Sequence, residues 1–103
     1  KTIVGDCGLM SLYQNEIGYT VELPVAASSL CMIPTIWELI GRKGSIGIIT
    51  GHSELLSKNH LLNSGWREDI PIVVQGMEDE EHFTEIVLNG GLNLDVGKME
   101  CYK

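Results

Sequence analysis

Basic residues are scarce. The 103-residue chain carries seven Lys and Arg against 14 Asp and Glu, a formal net charge of −7. The few cations are scattered, so the clustered positive surface that a phosphate backbone needs is missing and no nucleic-acid partner is expected. Cysteine is sparse and odd in number: Cys7, Cys31 and Cys101. No CxxC pair occurs, which argues against a disulfide framework and against a zinc site, and a reducing, cytoplasmic setting fits best. Long apolar runs are also lacking. None approaches the roughly 20 residues of a membrane span, and no signal peptide is visible. What remains is a hydrophobic content of 44%, ordinary for a globular chain and too high for disorder. The chain opens on Lys1 and reads as a strand almost at once, so a piece of a longer protein is expected.

The hydrophobic pattern alternates between strand and helix. Residues 2–5 are β-branched up to Gly5 and read as a strand; Leu9, Leu12, Tyr13 and Ile17 then recur at helical spacing, with Gly18 as the expected stop. Residues 22–27 read as a second strand entered through Pro24, and Leu30, Ile33, Trp37 and Ile40 as a second helix with Pro34 in its first turn. After the Gly41–Gly44 turn, Ile46–Thr50 is nearly all apolar, as a parallel strand covered on both faces would be. Ser53 is the expected cap of a helix carrying Leu55, Leu56 and Leu62 and closed by Gly65. Pro71–Val74 gives a fourth strand, and the acidic run Glu78–Glu81 opens a helix that Gly90-Gly91 ends. A further helix is expected within 92–103. This order implies an α/β fold: a parallel sheet with helices on both faces, in Rossmann-like lobes. The boundary is expected at the Gly41 turn, with 1–41 as the end of a first lobe and 42–103 as the start of a second.

The turn after the first strand carries the chemistry. Cys7 sits between Asp6 and Gly8 where a strand gives way to a helix, at the carboxyl end at which open parallel sheets bind ligands. Amide groups opening a helix favour a thiolate over a thiol. The bland alternative is a buried structural cysteine, since free cysteine packs as a small hydrophobe. Gly8 would let backbone amides approach a substrate closely, or simply make a tight turn. Ser28 and Ser29, after the second strand, suit either a substrate carboxylate or a helix cap. Thr50 and His52 follow the third strand on the same sheet edge; His52 reads as a surface turn residue rather than a catalytic one. Cys31, Trp37, Trp66 and His60 read as packing residues.

Placed in order, Asp6-Cys7-Gly8-Leu9-Met10, Pro24-Val25-Ala26-Ala27-Ser28-Ser29-Leu30, Ile46-Gly47-Ile48-Ile49-Thr50 and His60-Leu61 resemble the aspartate/glutamate racemase superfamily along almost the whole chain. The resemblance implies two α/β lobes with the active site between them. It also implies a cofactor-independent, metal-free mechanism in which two cysteines, one per lobe, remove and return the α-proton of a small amino acid or related carboxylate. Cys7 matches the first-lobe cysteine, and Gly8, Ser28, Ser29 and Thr50 are the expected substrate-binding residues. No turn here matches the second cysteine; Cys101 lies in Met99-Glu100-Cys101-Tyr102 with no strand before it. The isolated chain is therefore expected to lack racemase activity. Asp6 stands where this branch more often has Ser or Thr, placing a carboxylate beside the thiol. Decarboxylases and cis–trans isomerases share the superfamily, and a non-catalytic small-molecule-binding α/β domain is the alternative outside it. Assembly into a homo-oligomer stays open.

Overall fold

The structure, a computed structural model, describes residues 1–89, and within them strand and helix alternate four times. The strands are β1 (Ile3–Val4), β2 (Val25–Ala26), β3 (Ile46–Thr50) and β4 (Ile72–Gly76). The helices are α1 (Gln14–Thr20), α2 (Ile33–Leu39), α3 (Lys58–Asn63) and α4 (Glu81–Asn89). Short 3₁₀ segments at Gly8–Tyr13, Ser29–Met32 and Ser53–Leu55 lead from the first three strands toward their helices. β1 pairs in parallel with β2, and β3 in parallel with β4, as two separate two-stranded sheets. The expected helix within 92–103, the Gly90-Gly91 stop and Cys101 lie outside the described residues.

One core joins these pieces. Leu30, Ile33 and Trp37 meet Ile46, Ile48, Leu61 and Ile70, all buried. α2 forms because Ile33 and Trp37, four apart, present one apolar stripe to β3, while Pro34 occupies the first turn where its missing N–H costs nothing. It stops in a Schellman arrangement: Gly41 N–H donates to the Glu38 carbonyl and Arg42 N–H to the Trp37 carbonyl, each at 3.0 Å. Trp66 packs at the core margin and donates its indole N–H to the Ile70 carbonyl at 2.9 Å.

Several local expectations change. β3 is buried only through Ile46 and Ile48, whereas Ile49 is 74% exposed, so the strand has one covered face rather than two. Gly18 lies inside α1, which ends instead where Val21 turns extended and its N–H donates to the Ile17 carbonyl. Ser57, not Ser53, caps α3. Its side chain accepts the His60 N–H, and His60 Nδ1 accepts the Ser57 N–H at 3.1 Å. α4 starts at Glu81, leaving Glu78 in the preceding turn. No helix among the described residues is long and apolar enough to cross a membrane.

β1 and β2 are held by two devices. Gly5 N–H donates to the Ala26 carbonyl at 2.8 Å, and a Cβ built on Gly5 would overlap the Ala27 carbonyl. On the far side of β2, the Gln14 carboxamide donates to the Val25 carbonyl and accepts the Ala27 N–H, both at 2.7 Å. This one side chain does what a neighbouring strand would do for that edge. Gly5→Ala is expected to lower stability by about 1–3 kcal/mol through the clash with backbone. Gln14→Ala should cost a similar amount, about 1–3 kcal/mol, by leaving a donor and an acceptor unpaired. Urea unfolding midpoints check both.

Candidate functional site

Cys7 ends the turn after β1 and stands as the cap residue of the 3₁₀ segment that follows, with its carbonyl accepting the Met10 N–H at 3.0 Å. Its thiol is exposed. The segment behind it is anchored twice. Ser11, fully buried, donates its hydroxyl to the Gly8 carbonyl at 2.8 Å, and Asn63 of α3 donates to the Leu12 carbonyl at 2.9 Å. The thiol is thus presented by a braced turn at the carboxyl end of a strand.

Two adjoining cavities of about 500 and 370 Å³ share Cys7, Gly8, Thr50 and Gly51. The larger opens toward His52, Leu55, Glu78 and Phe83; the smaller toward Asp6, Ser29 and Leu56. Volumes of this size suit a small organic ligand. Of the expected site residues, Cys7, Gly8, Ser29 and Thr50 converge here. Ser28 does not line either cavity: it is buried, and its hydroxyl accepts the Leu30 N–H at 3.1 Å as a helix cap. Cys31 is half-buried, its thiol 3.5 Å from the Gln14 carbonyl oxygen.

Two further side chains on the larger cavity, Glu78 and Phe83, escape a reading by sequence, and a third, His52, is expected beside the cleft from its place after β3 but not with the surroundings it has. Glu78 belongs to an acidic run that reads as a helix opening, yet the pairing of β4 with β3 brings the turns after both strands together, and Glu78 there meets Ser53. The Ser53 hydroxyl donates to Glu78 Oε1 and the Ser53 N–H to Oε2, while Thr84 donates its hydroxyl to the Glu78 carbonyl at 3.1 Å. Gly76 leaves the room this needs, because a Cβ there would overlap the Glu78 carboxylate. The Ser53 hydroxyl foremost, then the residue's own backbone N–H, hold the Glu78 carboxyl below its ordinary value. Phe83 reads as core stripe but lies over the turn after β3; a methyl on Gly51 would stand 3.5 Å from its ring. His52 reads as a surface residue, yet its Nδ1 is buried and has no hydrogen-bond partner. No sequence signal marks an imidazole whose ring nitrogen is left open in this way. Among the described residues, no three His, Cys, Asp or Glu side chains are grouped to hold a metal ion.

Compared with known proteins, the chain is 30% identical over 100 residues to a dimethylsulfoniopropionate lyase of Durusdinium sp. clade D. The match takes in 92% of this chain and 33% of that protein, so the chain spans about a third of the length of the curated relative it matches. No family model matches the sequence, and no solved structure does.

The Glu78 contacts set a pH dependence. A carboxyl whose folded value is depressed contributes stability above its unfolded value, near 4.5, and loses it as pH falls through the lower folded value. Glu78→Gln is expected to flatten the acid limb of the stability profile below about pH 4.5 while leaving its neutral-to-alkaline course parallel to the parent's. Thermal midpoints measured from pH 2 to 8 check this.

Proposed function

We propose that this chain is the cysteine-bearing part of an enzyme that takes the proton from the carbon beside a small carboxylate. The observation that carries this is the exposed thiol of Cys7 opening on a cavity of about 500 Å³ at the strand ends. An α-proton is a weak acid, and its removal needs a base next to a site that holds the developing charge. Cys7 is that base. The Gly8 backbone, Ser29 and Thr50 hold the carboxylate, onto which the electron pair left on the α-carbon spreads.

Two outcomes follow from that first step. In a racemase, as the aspartate/glutamate racemase resemblance implies, a second acid returns a proton to the opposite face. In a lyase, the pair forms a carbon–carbon double bond as a group leaves the β-carbon. The similarity to a dimethylsulfoniopropionate lyase favours the second. Its named substrate is a carboxylate with a sulfonium leaving group, whose loss as dimethyl sulfide consumes the electron pair with no second acid. Among the described residues, Cys7 is also the one cysteine lining the cavities. The elimination reading therefore stands first and the racemase reading second.

Incubation in D₂O separates them. Headspace dimethyl sulfide from dimethylsulfoniopropionate reads elimination; α-deuterium with inversion of aspartate or glutamate reads racemisation. Cys7→Ser in the protein bearing this sequence is expected to lower the rate by about 10²–10⁴-fold, with the fold kept by circular dichroism. Unchanged turnover in that variant would remove the thiol from the mechanism.

A further inference from the structure

We propose that the Glu78–Phe83 side of the larger cavity recognises a fixed cation, so that the ligand held at Cys7 is a zwitterion carrying an onium or ammonium group as well as its carboxylate. This rests on the reading of Cys7 as the base for a small carboxylate. The charge inventory leads to it. The residues lining the two cavities include the carboxylates of Glu78 and Asp6 but no Lys or Arg among those described. A dicarboxylate entering here would meet like charge and, among the described residues, no opposing Lys or Arg, with the His52 imidazole the one basic group on the wall. A ligand that brings its own positive charge removes that mismatch.

The geometry supplies the receptor. Both Glu78 oxygens are oriented by Ser53, one by its hydroxyl and one by its N–H. The carboxylate is held in place by these bonds, and no Lys or Arg among the described residues pairs with it. Phe83 adds an aromatic ring on the same wall, set over Gly51, and Leu55 adds apolar surface. A carboxylate beside a ring in an otherwise apolar wall suits a methyl-clad, weakly hydrated cation. Cys7 and Gly8 line the same cavity, so one small molecule can reach both ends.

Protection of Cys7 from iodoacetamide, read by mass spectrometry of the Cys7 peptide, tests this without needing turnover. The probes are dimethylsulfoniopropionate, the thioether 3-(methylthio)propionate, which keeps the carboxylate but lacks the cation, and succinate. The zwitterion should half-protect at a concentration at least about tenfold lower than the thioether, and succinate should protect least. Glu78→Gln, and Gly76→Ala, which displaces the Glu78 carboxylate, should each bring the zwitterion-to-thioether ratio toward one. Equal protection by thioether and zwitterion, or a ratio that neither variant moves, would overturn the cation site while leaving the carboxylate at Cys7. Failure of all three probes to slow alkylation would overturn the carboxylate reading itself, and this inference with it. Should either variant fail to fold, the ratio in the parent protein still decides.

Discussion

The ladder between β3 and β4 pairs Ile46 with Ile72 and Thr50 with Gly76, and so delivers two turns to one edge. Met77 N–H extends it by donating to the Thr50 carbonyl at 2.9 Å. Because the strands run parallel, both chains leave the sheet at their carboxyl ends, where the unpaired turns can face a ligand. His52 and Ser53 leave from one strand, Glu78 from the other. Were the register shifted by a residue, Ile46 and Ile48 would leave the core and Glu78 would lose Ser53. The same packing that buries Ile70 and Trp37 thus aligns the cavity wall.

The Cys7 side is joined to this frame less directly. β1 and β2 contribute only two residues each, too few to be stable as an isolated pair. Their position depends on Leu30 and Ile33 entering the common core and on α3 packing beside the segment after Cys7, with Asn63 as the polar tie. A thiol at the end of so short a strand keeps a defined position because its neighbours on both sides are anchored.

Much of this was open to sequence reasoning. Element order, the Pro34 start of α2, the Gly65 end of α3 and the placing of Cys7, Ser29 and Thr50 after carboxyl strand ends follow from periodicity and from the rule that ligands bind there. The single sheet edge expected for them is instead two edges, since Thr50 belongs to a separate sheet from Cys7 and Ser29. The rest depends on contacts distant in sequence. Glu78 and Ser53 stand 25 positions apart, and only strand register makes them partners. Ser53 is the cap the sequence suggests, yet the structure gives that place to Ser57, with which His60 reciprocates. A nearly unbroken apolar run such as Ile46–Thr50 reads as covered on both faces, yet Ile49 is exposed because nothing among the described residues packs on that side. Ser28 and Ser29 look alike in sequence, but one hydroxyl is spent on Leu30.

The Gln14 carboxamide has a topological consequence. Pro24 and Ala26 turn their carbonyls toward β1, whereas the Val25 carbonyl accepts from the Gln14 carboxamide and the Ala27 N–H donates to it. With that rim occupied by a side chain from α1, the small sheet can be widened only on the β1 side. A single amide therefore fixes the direction in which any additional strand, from elsewhere in a longer polypeptide or from another molecule, could be recruited.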